Sequence, residues 1–261
     1  MNQATIVALY GDKPEVLRGF LAACQAEAAA VLGGCFRPYA IPQIHGTIVG
    51  LEREEGSVGP VNRNFLRLRQ REVAMDYEGV LRLVRDALPF QVQIGGFAEG
   101  DQPFLSRGAR PFERGFSVHG QNVVIMGWPV TAGYCSGTGA WPPDRFPDRW
   151  PYSQVLARLR RGVEEYGVLH AYHDDPMQDD NDFYFRIGTL TGDRPSAGLA
   201  GRLSERLRRW LASRRPLFCP VTLADLSVAF YRSPELPCAR TEAVRLDVPE
   251  VSGATIQDRL R

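Results

Sequence analysis

The sequence predicts an α+β fold with mainly antiparallel sheets. Three observations lead there. Short runs with strand-like alternation interleave with longer runs of helical spacing. Residues 115–130, "GFSVHGQNVVIMGWPV", read as two strands around a tight Gly-Gln-Asn turn, the mark of a hairpin. No repeat of fixed period appears that would suggest a solenoid or propeller.

Taken in order, "ATIVALY" (residues 4–10) reads as a first strand closed by Gly11-Asp12. Pro14 stands where a first helical turn tolerates it, and the helix runs to Leu32, where Gly33-Gly34 ends it. "IPQIHGTIVGLE" (residues 41–52) reads as the next strand, followed by a polar, Gly-containing segment. "YEGVLRLVRDAL" (residues 77–88) spaces its apolar residues as a helix, and "FQVQIGGF" (residues 90–97) alternates as a strand. After the hairpin, residues 131–152 are rich in Gly, Pro and aromatics and read as a long loop between two halves. A helix follows over residues 152–167, a strand over 182–190 and a helix over 197–214. Strands over 221–233 and 241–248 close the chain, leaving a loose tail after Pro249.

A chain of 261 residues buries a sizeable core, and 44% hydrophobic with 23% charged residues is ordinary globular composition. No apolar run is expected to reach the ~20 residues of a membrane span, and the N-terminus lacks a signal-peptide pattern; the expected location is the cytoplasm, away from membranes. A net charge of +1 argues against strong electrostatic attraction to nucleic acid. Positive charge is nonetheless concentrated in "RLRQR" (residues 67–71) and "RLSERLRRWLASRR" (residues 202–215), and the second reads best as a solvated helix face. Lys13 is the only lysine. Five scattered cysteines without a CxxC pair suggest neither a disulfide framework nor a zinc ribbon, and reduced, mostly buried thiols are expected.

Chemistry centres on His45 and Thr47. Two residues apart in a strand, they project from one side, with Ile44 and Ile48 filling the core behind them. A lone histidine in an apolar strand is more often a hydrogen-bonded core residue. Phosphodiester transfer, however, needs a base for the attacking hydroxyl, an acid for the leaving oxygen and donors for the phosphate; a histidine and a threonine hydroxyl can serve. The acidic segment "LHAYHDDPMQDDND" (residues 169–182) also suggests a metal-dependent hydrolase. Its spacing fits neither an EF-hand nor H-E-x-x-H, so no metal or other cofactor is expected. His119 beside the hairpin turn reads as structural or surface, and Cys135 has no nucleophile context. Trp128, Tyr134 and Trp141 could stack a base, although core packing is commoner.

"HGTIVGL", with "FQVQIGGF", the hairpin ending "VVIMGWP" and "LSVAFYRSPEL" in this order, resembles the two-histidine (2H) phosphoesterase superfamily of RNA 2',5'-ligase-like and cyclic phosphodiesterase proteins. That resemblance implies a single bilobal domain over residues 1–261, with halves meeting near residue 130 and two sheets flanking a central groove. It implies an RNA or nucleotide phosphodiester as ligand, cyclic 2',3' or 2',5'-linked, and no obligatory protein partner. His45 would be an acid/base and Thr47 a phosphate donor. The family's second His-x-Thr/Ser motif is replaced here by Asp182 and Tyr184, or in another register by Asp225 and Ser227. Either Asp182 acts as base beside protonated His45, or His170 or His173 enters the groove from the loop, His173 being nearer the strand. Tyr184, Arg186, His170 and Ser227 would contact substrate. A nucleotide- or RNA-binding protein without catalysis is the alternative.

Overall fold

The first strand, β1 (Gln3–Ala8), is buried on both faces and carries the β-branched residues Thr5, Ile6 and Val7 that favour a pleated, covered surface. The computed structural model describes residues 2–101, 104–131, 152–171, 180–191 and 197–261. Pro14 starts α1 (Glu15–Leu32), whose stripe Leu17, Leu21, Cys24, Ala28 and Leu32 turns into the core at helical spacing. By length and composition Glu15–Cys35 would pass for a membrane span, contrary to expectation, although this stripe packs on the protein's own core. A short β2 (Phe36–Pro38) follows, then a 3-10 turn at Ile41–Gln43, so that β3 (Gly46–Gly50) begins after His45 instead of at Ile41. Pro42, with its fixed φ and missing N–H, favours that turn over an extended chain.

The polar segment beyond β3 is regular structure. It forms the hairpin β4 (Arg53–Gly56) and β5 (Gly59–Asn62), then α2 (Arg63–Arg69), capped by Asn62 accepting from the Phe65 amide at 3.0 Å. Next come α3 (Tyr77–Asp86), β6 (Phe90–Ile94), the single turn α4 (Pro111–Arg114), and the anticipated hairpin of β7 (Phe116–His119) and β8 (Asn122–Val130). The helix foreseen over 152–167 is α5 (Val155–Gly162), tightening into a 3-10 turn. β9 (Phe183–Leu190) and α6 (Ala197–Ser213) fall where expected. The strand foreseen over 221–233 is in fact two, β10 (Leu217–Val221) and β11 (Leu226–Tyr231), which enter different sheets. Thr222 and Asp225 cap a turn between them and break the run. After β12 (Glu242–Arg245), the supposed tail forms α7 (Gly253–Leu260), capped by Ser252 and docked on α3 through buried Ile256 and Leu260.

Every strand pairing among the described residues is antiparallel. One sheet has the order β12-β11-β1-β3; the other runs β10-β6-β8-β9-β2 with β7 added to β8. This is an α+β fold with two principal antiparallel sheets and flanking helices. The main hydrophobic cluster takes Ile6, Ile48 and Val228 from the first sheet and Val92, Ile125 and Phe185 from the second. The sheets approach along β3 and β9. Gly46 permits this approach, since a Cβ there would lie 2.1 Å from the Phe183 ring. Among the cysteines, Cys24 and Cys219 are buried, whereas Cys35 and Cys238 are exposed, so burial is less general than expected.

Candidate functional site

A cleft of about 270 Å³ lies between the sheets. On one wall stand Thr5, His45, Thr47 and Tyr231, and on the other Asn122, Val124, Tyr184 and Arg186. The second wall follows from strand alternation: Phe183, Phe185 and Ile187 face the core, so Tyr184 and Arg186 face the cleft. The first wall contains an irregularity. Val7 pairs with Thr47 and Ile6 with Val49, leaving Ile48 as the extra residue of a bulge. That bulge lets Thr47 and Gly50, three positions apart, line the same cleft.

His45 sits half-buried at the end of the 3-10 turn. Its Nδ1 is 2.7 Å from the Gln43 carbonyl oxygen, which can only accept, so Nδ1 carries the proton and Nε2 keeps its lone pair. Burial lowers its pKa to about 4; Arg186 and Lys13 add to the lowering, while the Gln43 contact opposes it. The ring is therefore neutral at pH 7. Tyr10 meets it edge-on, with centroids 5.7 Å apart. The turn itself is fixed from two sides: Lys13 Nζ donates to Gly11 O (3.0 Å) and Pro42 O (3.2 Å), and Gln43 Nε2 to Glu235 O (2.7 Å).

Arg186 donates to the Tyr39 hydroxyl at 3.3 Å and has no carboxylate partner among the described residues. An unneutralised guanidinium beside a neutral imidazole makes this part of the cleft attractive to an anion. Three of the four histidines, His45, His119 and His170, line the cleft; the fourth, His173, lies outside the described residues, as do Tyr134, Cys135 and Trp141. His119, read from sequence as structural or surface, is exposed and lines the cleft.

Asp182 does not line the cleft. It lies on the Tyr184 side of its sheet, farther along, beneath a cluster of Phe97, Phe104, Trp128 and Tyr152. Ser106 and Arg114 hydrogen-bond its carboxylate, and Trp128 Nε1 donates at 2.6 Å. So enclosed and satisfied, it is not placed to take a proton from a ligand in the cleft, as the first sequence alternative required. Tyr184 is the link between them, its hydroxyl 3.4 Å from Asp182 Oδ2. Ser227 is likewise buried in β11, opposite Val7 and Arg245, and does not line the cleft. Trp128 is core, not a stacking platform.

Sequence reading overlooked Arg160. Fully buried on α5, it donates to the carbonyls of Thr47 (2.7 Å) and Ile48 (3.0 Å) on β3 and of Asp180 (3.1 Å) and Asp182 (2.9 Å) ahead of β9. It also pairs with the Asp180 carboxylate at 3.1 Å, which His170 Nε2 meets at 3.0 Å and to which the Asp182 amide donates at 3.2 Å. Burial alone would raise Asp180, but Arg160 and His170 outweigh it and hold the carboxylate well below its usual range. A signal was present: Arg160 falls at helical spacing from Leu156 and Val163, on the apolar face.

No family model matches the chain, and no curated protein matches it. Among solved structures it is similar to TT0787 of Thermus thermophilus, at 15% identity and a TM-score of 0.40, covering 94% of this chain and 95% of that one. It is also similar to ATU0111, a conserved protein of unknown function from Agrobacterium tumefaciens strain C58, at 11% identity and a TM-score of 0.38, covering 84% and 80%. Both likenesses are to overall fold alone.

Proposed function

We propose that the cleft binds an RNA or nucleotide phosphodiester, cyclic 2',3' or 2',5'-linked, and that His45 is an acid/base in its hydrolysis or transesterification. The observation that carries this reading is the neutral His45, its Nδ1 committed to Gln43, in one cleft with Arg186, which has no carboxylate partner among the described residues. Nε2 is then the atom that accepts a proton from the attacking water or hydroxyl. Arg186 neutralises the phosphate, the Thr47 hydroxyl donates to a free oxygen, and Tyr184, whose proton is directed to Asp182, lines the wall beside it. The bound anion itself favours the imidazolium, so His45 gains basicity once substrate is present and can return the proton to the leaving oxygen. No step requires Asp182.

His45→Ala should lower turnover of a 2',3'-cyclic nucleotide by roughly 10²–10⁴-fold, with binding, followed calorimetrically, changing far less. Wild-type turnover in the variant would remove His45 from the chemistry. Binding without turnover is the second reading, favoured by the enclosure of Asp182, which leaves the second wall without a free carboxylate at that position. Under it, the wild-type protein binds the cyclic nucleotide and leaves it intact across neutral pH. A metal-dependent reaction has less support: His170 and Asp180, two of its ligands, are bound to each other and Asp180 to Arg160.

A further inference from the structure

The cleft has a second, chemically opposite end. Where β3 runs out, the Glu52 carboxylate lines it together with Tyr231 and Asn64. Tyr231 donates to Glu52 Oε1 at 2.6 Å, and burial, with Glu52 beside it, pushes that phenol far above its usual range, so the proton stays on the tyrosine. Gly50 leaves room for the other carboxylate oxygen: a Cβ there would lie 2.2 Å from Oε2. Among the described residues Glu52 has no cation at salt-bridge distance, and the Asn64 side-chain amide has no hydrogen-bond partner. The other acid of the cleft, Glu235, is paired with Arg37 at 3.6 Å.

The two ends lie along one strand direction. Thr47 pairs with Val7 on β1, and Gly50, over which the Glu52 carboxylate sits, pairs with Thr5. Two residues of strand separate these positions, about 7 Å at the usual rise, so a single nucleotide can reach both ends.

Resting on the phosphodiester reading above, we propose that Glu52 and Asn64 form a nucleobase subsite selecting a base edge with two adjacent N–H donors, that of guanine. The guanine edge offers two adjacent N–H donors to a carboxylate, whose oxygens each retain acceptor capacity, and places a carbonyl oxygen within reach of an amide donor. Adenine and cytosine offer one amino group beside a ring acceptor. Uracil offers a single N3–H between two carbonyl oxygens, so a carboxylate that accepts this proton also meets a carbonyl oxygen it repels, which is discrimination by an unfavourable contact as much as by a favourable one.

The test compares 2',3'-cyclic GMP, AMP, CMP and UMP, by calorimetric binding and by turnover, in wild type, Glu52→Gln and His45→Ala. Wild type should bind the guanine nucleotide at least about tenfold better than the uracil one. Glu52→Gln, which replaces an acceptor oxygen with a donor, should collapse or invert that ratio, chiefly by improving uracil binding. His45→Ala should keep the ratio while losing turnover. Equal binding of all four bases by wild type, or an unchanged ratio in Glu52→Gln, overturns the base subsite and leaves the phosphodiester reading standing. Full turnover in His45→Ala with the base ratio intact overturns the catalytic role alone. Failure of all four nucleotides to bind overturns both.

Discussion

A histidine whose Nδ1 proton is held by its own backbone has one nitrogen left for chemistry, and at His45 that nitrogen belongs to a ring kept neutral by burial and two nearby cations. If Nε2 is the base, kcat/KM reports the free protein's ionisation, and the acid limb should fall with a midpoint near pH 4 instead of the ordinary histidine value of about 6.5. A pH–rate profile on a cyclic nucleotide measures it directly. A limb at 6.5 would mean that His45 is not held low, or that another imidazole, such as that of His173, does the work. At this scale the sequence was informative about Tyr184 and Arg186, which alternation within β9 places on a common face; His45 and Thr47 share the cleft through the turn before β3, which alternation does not describe. It was uninformative about Asp182, whose fate depends on Ser106, Arg114 and Trp128, all more than fifty residues away in the chain.

At the scale of elements, the junction of β3 with β9 depends on two unlike residues: Gly46, which has no side chain to collide with Phe183, and Arg160, whose guanidinium binds carbonyls from both sides. Arg160→Met would leave Asp180 buried without its cation and four carbonyls short of a donor. It should cost roughly 3–5 kcal/mol in urea unfolding, and Arg160→Lys should recover only part, since an ammonium cannot span that fork of acceptors. A loss under about 1 kcal/mol would show the staple to be dispensable. α3 was legible from its period and α1 from its boundaries, Pro14 at the start and Gly33-Gly34 at the end. The β4–β5 hairpin and α7 were not, because their charged sequences bury only a few residues each and resemble loop in isolation. Arg160 was missed for the opposite reason: a charged residue at an apolar phase reads as surface until its acceptors are known.

For the molecule as a whole, the same ionisations shape resistance to acid. His45 has a folded pKa of about 4 against about 6.5 when unfolded, so between these values the unfolded chain binds the extra proton. Stability from this group is complete above about pH 6.5 and is lost as pH falls toward 4, at up to about 1.4 kcal/mol per pH unit. Asp180, held low by Arg160 and His170, adds a further loss at more acid pH, when its carboxylate is finally protonated. Melting temperatures of wild type and His45→Gln should therefore diverge in slope between about pH 6.5 and 4 and run parallel above about pH 7; parallel curves throughout would contradict the depressed pKa.

Lys13, buried against Gly11 and Pro42, has a further consequence for anyone handling the protein. As the sole lysine of this chain, it is the one side-chain amine that acylating dyes, aldehyde cross-linkers or amine-coupled sensor chips can find. Burial brings its pKa down to about 8, so in mildly alkaline buffer the amine is largely nucleophilic and shielding, not protonation, limits its capture. Its modification rate thus becomes a clock for how often the turn carrying the imidazole breathes open.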